Sequence, residues 1–229
     1  MTPLSGLSII VPAFNEERTL EPVIADILGA AAGIARQFEI LIIDDGSTDS
    51  TSSIALRLAK LHPEIRVLRH ERNLGFGATQ RTGFAQARLP FVTLVPADGQ
   101  FPAGDLARFL PAIGDADIVL GYRAVRPDGL FRRVQSRVFQ FLVRRVLRLP
   151  FRDVNWVKLY RREAIAGIEL DNRRAGADAE LLARALQRGA RIKEVEVSCL
   201  PRKAGVASGS RPAVILKTAF ELMRVWWRR

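Results

Sequence analysis

Three short polar segments carry carboxylates directly after apolar runs: Pro12-Ala-Phe-Asn-Glu-Glu17, Asp44-Asp-Gly-Ser-Thr-Asp49 and Pro96-Ala-Asp98-Gly-Gln100. Carboxylates brought together have two chemical uses here. They hold a hard divalent ion through oxygen, and they accept hydrogen bonds from the N–H and O–H groups of a nucleobase and its ribose. Each segment alone also has a plainer reading, because Asp-Gly and Ser/Thr-x-x-Asp/Glu are ordinary turn and cap sequences. Ser47 or Asp49 is expected to cap the helix that follows. A site is indicated only if all three segments reach one place.

The elements around them supply that test. Apolar runs at 7–11, 40–43, 65–68, 91–95 and 118–120 read as strands, and helical patterns at 17–32, 50–61, 78–87 and 102–112 lie between them. Strands alternating with helices of this length build βαβ units and a largely parallel sheet. Ligands of open parallel sheets bind at the carboxyl ends of the strands, which is where the three segments fall. The expected fold class is α/β, a three-layer Rossmann-like arrangement with a mostly parallel central sheet. Gly75 and Gly77 follow the third strand and Gly83 is wrongly spaced for a dinucleotide fingerprint, which argues against a dehydrogenase. A plain loop before a helix is the competing reading of that glycine pair.

The second half is less regular: a long helix at 130–149, a strand at 154–160, a helix at 177–188 and a strand at 192–198. A Gly-, Ser- and Arg-bearing loop at 201–212 and a closing helix at 213–226 follow. With neither repeat nor low-complexity linker, 1–229 reads as one domain whose halves divide near 122 and 123. Hydrophobic residues make up 48% of the 229, enough for a full core. The net charge of +11 calls for an anionic partner: nucleic acid, acidic lipid or a phosphorylated substrate. No nucleic-acid motif appears and the aromatics do not interleave with the basic residues, so nucleic acid is not expected. A single cysteine, Cys199, excludes an internal disulfide and fits a reducing, cytoplasmic setting. The opening residues lack a basic n-region, so no signal peptide is read there, and no apolar run reaches the ~18 residues of a spanning helix.

Longer stretches carry a family resemblance. Ser8-Ile-Ile-Val-Pro-Ala-Phe-Asn-Glu-Glu17, followed by Leu41-Ile-Ile-Asp-Asp-Gly-Ser-Thr-Asp-Ser-Thr51, resembles the opening of family 2 glycosyltransferases of the GT-A fold. Asn73-Leu-Gly-Phe-Gly-Ala-Thr-Gln-Arg-Thr-Gly83 resembles their Asn-x-Gly-x-Gly-x-x-x-Arg-x-Gly segment, and Ala97-Asp-Gly-Gln100 the end of their Asp-x-Asp-x-Gln metal motif. The second half is more loosely similar to the dolichyl- and polyprenyl-phosphate sugar synthases, at 153–161 and at the loop 202–211. The resemblance implies a GT-A enzyme with a nucleotide-sugar half, 1–122, and an acceptor half, 123–229.

It also implies roles. Pro12, Phe14, Asn15 and Glu16 line the nucleotide pocket, and Asp44 accepts from the base with Asp45 beside it. Gly75, Gly77 and Arg81 run along the nucleotide and its phosphates, with Ala97 and Asp98 completing the donor contacts. Asp98 and Gln100 reach a divalent metal, Mg2+ or Mn2+, on the pyrophosphate. Pro96 stands where the family has its first Asp, so metal affinity is expected to be weaker. A non-catalytic nucleotide-sugar binder is the alternative that this departure opens.

On the acceptor side the resemblance and the basic charge together select Arg133, Ser136, Lys158, Arg202, Ser208, Ser210 and Arg211 for an acceptor phosphate, with Arg123 and Asp178 joining Asp98 as catalytic candidates. At about 100° per residue, Arg133, Arg137, Arg144 and Arg148 form one stripe of the 131–149 helix, opposite an apolar face. Such a helix suits an anionic membrane surface and equally suits a domain surface facing water. The terminal Trp226 and Trp227 suit a membrane interface, a core edge or a homodimer contact. A phosphate acceptor is already ionised near neutral pH and needs no base. A hydroxyl acceptor does need one, and Asp178 or Glu180 is then the candidate; both are equally explained as first-turn acids complementing a helix dipole. The expectation is inverting transfer from a nucleoside-diphosphate sugar to a polyprenyl phosphate by a peripheral protein on the inner face of the cytoplasmic membrane. Transfer to a hydroxyl is its alternative.

Overall fold

The computed structural model describes residues 2–124, 149–170 and 176–201. Seven strands, β1 Leu7–Ala13, β2 Phe38–Asp44, β3 Ile65–Arg69, β4 Phe91–Leu94, β5 Ile118–Arg123, β6 Lys158–Arg161 and β7 Ile192–Val197, form one sheet in the order β3-β2-β1-β4-β6-β5-β7. Only β6 runs antiparallel to its neighbours among them. The chain steps outward from β1 to β2 and β3, then returns to place β4 on the other side of β1. The strand order therefore reverses between β1 and β4, and a crevice opens there beyond the carboxyl ends. The expected α/β class with a mostly parallel sheet is what the chain adopts.

The central strands are mostly apolar because both of their faces are covered. On β1, Leu7, Ile9 and Val11 join one core with Leu20, Ile24 and Ile27 of helix α1 (Leu20–Ile34) and Phe109 of a 3-10 helix (Ala103–Phe109). Ile10 faces the other core, with Leu41 and Ile43 of β2 and with Leu181 and Leu182 from a helix late in the chain, Ala177–Gln187. Helices α2 (Thr51–Leu61) and α3 (Phe76–Gln86) complete the first half. Two short helices, α4 (Leu110–Ile113) and α5 (Arg162–Ile165), precede the late one, which is α6. A Cβ on Gly83 would stand 2.6 Å from Ile10 Cγ2, so α3 lies on β1 at a distance that only glycine permits.

Two elements differ from the sequence reading. The helix expected over 102–112 is mostly 3-10 and gives way to the short α4, with Pro111 in its first turn; Pro111 has no N–H to donate to Ala107, whose carbonyl takes the Leu110 N–H. The strand expected over 154–160 begins only at Lys158. Asp153 turns the segment before it, accepting the Asn155 N–H at 3.2 Å through Oδ1 while Oδ2 binds Arg123 at 2.7 Å. The helix expected over 130–149 lies outside the described residues except for its last residue, and the closing helix over 213–226 lies outside them entirely.

Candidate functional site

The first two polar segments are stitched to each other. Asn15, at φ 56°, donates its N–H to Ser47 Oγ at 3.0 Å and accepts the Thr48 N–H at 2.9 Å through Oδ1. The Glu16 N–H reaches Thr51 Oγ1 at 2.8 Å, and across the same seam the Glu17 N–H donates to Asp49 Oδ2 at 3.3 Å while the Glu17 carboxylate accepts the Ser50 N–H at 3.1 Å. Asp49, rather than Ser47, serves the start of α2: its Oδ1 accepts both the N–H and the hydroxyl of Thr51. Burial acts to raise the Asp49 pKa, but these bonds outweigh it and the carboxyl lies below its ordinary value. Asn15, expected to line a nucleotide pocket, thus also fastens the loop; exposed Phe14 and half-buried Pro12 stand beside it.

Asp44 and Asp45 are adjacent and both buried, yet they do different things. Asp44 Oδ1 accepts the Ser47 N–H at 2.9 Å, while its Oδ2 is buried without a hydrogen-bond partner, 3.4 Å from Arg69 Nε. Asp45 spends both oxygens within the protein. Oδ1 meets His70 Nδ1 at 2.7 Å and the Leu74 N–H at 3.0 Å, and Oδ2 accepts the Gly75 N–H at 2.8 Å. Gly46 between the loops has φ 71°, and a Cβ there would meet the Arg72 backbone at 2.5 Å. Gly75, at φ 90°, opens α3, on which Gly77 is buried and Arg81 donates to the Leu170 carbonyl at 3.2 Å.

The third segment follows β4. Asp98 is buried and its Oδ1 accepts the Gln100 N–H at 3.1 Å, with Ala97 buried beneath it. Gln100 grips the segment after β7, accepting the Leu200 N–H at 2.8 Å and donating Nε2 to the Leu200 carbonyl at 3.3 Å. Among the described residues no three His, Cys, Asp or Glu side chains converge on a metal position. With proline at 96, this segment brings one carboxylate, Asp98, and the amide of Gln100. Such a set fits a hard cation only when most of its oxygens come from a diphosphate and water.

Beyond β5 and β6 lies a second polar network. Arg123, half-buried at the end of β5, bonds Asp153 and stacks 4.2 Å over the Trp156 ring. Burial works to lower the Arg123 pKa, but the charge and hydrogen bond of Asp153 raise it past its ordinary value, with Cys199 adding to the effect. Lys158 is 3% exposed; its ammonium contacts Asp178 Oδ2 at 3.1 Å and the Trp156 carbonyl at 2.8 Å. Asp178 Oδ1 accepts from Gln80 Nε2 at 2.8 Å, so α3 and α6 are joined through β6. Burial, and secondarily Asp178, holds the Tyr160 phenol well above its usual pKa. Lys158 and Asp178, expected to meet an acceptor, are thus bonded to each other. His70 had no local signal in the sequence, while Gln80 lay in the 73–83 segment and Asp153 and Trp156 in the 153–161 segment without a role assigned to them. Arg133, Ser136, Arg202, Ser208, Ser210 and Arg211 lie outside the described residues.

A mostly parallel seven-stranded sheet with acid-bearing loops at its switch point is the arrangement of the GT-A fold, and solved structures share it. Glucosyl-3-phosphoglycerate synthase from Mycobacterium tuberculosis, crystallised with Mn2+, UDP-glucose and phosphoglyceric acid, superposes with a TM-score of 0.75 at 19% identity, over 97% of this chain and 80% of that one. The same synthase with Mg2+ and UDP gives a TM-score of 0.71. Residues 8–168 match the description "Glycosyl transferase family 2", and the chain belongs to that family. An uncharacterized glycosyltransferase of Mycobacterium tuberculosis is 35% identical over 206 residues, 87% of this chain and 88% of its own. The dodecaprenyl-phosphate galacturonate synthase of Rhizobium johnstonii is 28% identical over 72% of this chain and 50% of its own. An undecaprenyl-phosphate 4-deoxy-4-formamido-L-arabinose transferase of Pectobacterium carotovorum is 30% identical over 72% and 51%. No helix among the described residues is long and apolar enough to cross a membrane.

Proposed function

We propose that this glycosyltransferase moves a sugar from a nucleoside-diphosphate sugar to a polyprenyl phosphate at an anionic membrane surface. The observation that carries the choice of a phosphate acceptor is the state of Asp178. Both of its oxygens are engaged, one by Lys158 and one by Gln80. An incoming hydroxyl needs a carboxylate presented to it, whereas this one is built into the core. A phosphate monoester arrives largely ionised and needs only positioning. The relatives acting on dodecaprenyl and undecaprenyl phosphate and the net charge of +11 support the same acceptor.

In the proposed reaction an acceptor phosphate oxygen attacks the anomeric carbon, the bond from that carbon to the diphosphate oxygen breaks, and the nucleoside diphosphate leaves. The buried Asp44 Oδ2, without a hydrogen-bond partner, accepts from the nucleobase. The first turn of α3 faces the phosphates with its N–H groups. Asp98, with Gln100, would hold a divalent ion that supplies charge neutralisation to the departing diphosphate. Arg123 contributes fixed positive charge at the end of β5.

The test is transfer from a panel of radiolabelled nucleotide sugars to undecaprenyl phosphate in detergent, with manganese, magnesium or EDTA, for the wild type and Asp98→Ala. Label in the lipid fraction, falling by about 10²-fold or more in the variant, is expected. Label appearing only on a hydroxyl-bearing glycan would overturn the acceptor assignment. Binding of a donor without transfer or hydrolysis under any metal condition would replace the enzyme reading with that of a nucleotide-sugar binder.

A further inference from the structure

We infer that His70 is a positioning residue for the nucleotide-phosphate loop, acting through Asp45. The inference rests on the nucleotide-sugar reading of the cleft and names the device that preorganises it. His70 follows β3 and is tied on three sides. Its N–H donates to the Asp44 carbonyl at 2.9 Å, Nδ1 lies 2.7 Å from Asp45 Oδ1, and Nε2 lies 2.9 Å from Thr82 Oγ1. Its side chain is 11% exposed and that of Asp45 is 5% exposed. A carboxylate can only accept, so Nδ1 carries the proton in this pair. Nε2 then meets a hydroxyl that either donates or accepts.

What Asp45 does with the rest of its capacity gives the imidazole its purpose. It takes the N–H groups of Leu74 and Gly75, the two residues that lead into α3. No side chain caps that helix, whose N-cap is Gly75 itself. The carboxylate therefore sets the path of the chain into the helix, and the imidazole sets the carboxylate. Thr82, about two turns beyond Gly75 on α3, anchors the ring from the helix side. Sheet edge, loop and helix are closed into one ring of bonds: Asp45, His70, Thr82, α3 and Gly75. Asp45 itself is registered on β1 by donating its N–H to the Ala13 carbonyl at 2.9 Å.

The imidazole can be replaced one nitrogen at a time. An asparagine amide stands near Nδ1 and keeps the bond to Asp45; a glutamine amide stands near Nε2 and keeps only the bond to Thr82. His70→Asn, His70→Gln and His70→Ala, with Asp45→Asn and the double variant Asp45→Asn/His70→Ala, are titrated calorimetrically with nucleoside diphosphates plus manganese, well below each melting temperature. The probe is the nucleoside diphosphate that the wild type binds tightest. Weakening of about ten-fold or more in His70→Gln and His70→Ala is expected, with His70→Asn near wild type and the double variant no weaker than Asp45→Asn alone. Equal loss in His70→Asn and His70→Ala, additive losses in the double variant, or unchanged affinity in His70→Ala would each overturn the inference while leaving the nucleotide site standing. A wild type that binds no nucleoside diphosphate would overturn the nucleotide-sugar reading and this inference with it.

Discussion

Replacing Lys158 with methionine should be among the most damaging single changes in the described structure. The side chain is 3% exposed and Asp178 is 7% exposed, with 3.1 Å between ammonium and carboxylate. Methionine keeps the stem and removes the charge, leaving Asp178 with the Gln80 amide but without a counter-ion. Breaking a buried pair from one side costs about 3–5 kcal/mol. At about 2–4 °C per kcal/mol for a chain of this size, the melting temperature should fall by roughly 6–20 °C. Lys158→Met/Asp178→Asn removes both charges and keeps an amide oxygen for Gln80, so it should recover much of that loss. Thermal melts and urea titrations of the wild type, both singles and the double close the cycle. A Lys158→Met protein within about 1 kcal/mol of wild type, or a double variant as unstable as the two singles summed, would refute the reasoning that this pair is built into the core. The same proteins test the acceptor assignment. If Asp178→Asn keeps its fold but loses kcat together with the acidic limb of the pH profile, Asp178 is a general base and the phosphate-acceptor argument fails.

Other outcomes follow from the same geometry. Gly83→Ala drives a Cβ to 2.6 Å from Ile10 Cγ2 and 2.8 Å from Ile10 Cδ1 on β1; overpacking should cost about 1–3 kcal/mol, read by urea denaturation, with Ile10→Val, which removes Cδ1, restoring part of it. Arg123→Gln removes the charge stacked on Trp156 and bonded to Asp153; KM for the phosphate acceptor should rise about ten-fold or more while nucleoside-diphosphate affinity is kept, as initial-rate kinetics and calorimetry would show. The Asp117 carboxyl is held below its ordinary value, chiefly by the Arg191 side chain and then by the Arg191 N–H. A depressed carboxyl adds stability that is present above the unfolded pKa and is lost as the pH falls through the folded one. Asp117→Asn should therefore lower the melting temperature at pH 7 and flatten its decline below about pH 4, near the unperturbed Asp pKa, relative to wild type.

Local signals were enough for the frame. The runs at 7–11 and 40–43 are apolar apart from Ser8 because central parallel strands are covered on both faces, and that pattern survives in the sequence itself, whereas the edge run at 65–68 carries Arg66 and is only partly buried. The helices between them follow from spacing, and the carboxyl-end rule then collects three distant acidic segments at one crevice. Two elements departed from the pattern. The helix expected over 102–112 formed a 3-10 helix ahead of the short α4 that carries Pro111, and Asp153 turns the chain ahead of β6.

The division of labour within the site was set elsewhere. Asp44 and Asp45 are the same residue type in adjacent positions, but Asp44 ends β2 and Asp45 begins the loop beyond it. One meets Arg69 with an oxygen left without a hydrogen bond, and the other meets His70, Leu74 and Gly75. Lys158 read as an acceptor cation from its sequence setting, and became the partner of Asp178 only when β6 and α6 packed together. Gln80, 98 residues from Asp178, gave no sign of that contact. A carboxylate, an imidazole or an ammonium is written in the chain as a capability. Which capability is spent on the fold and which is kept for a ligand depends on partners tens of residues away, and packing alone chooses those partners.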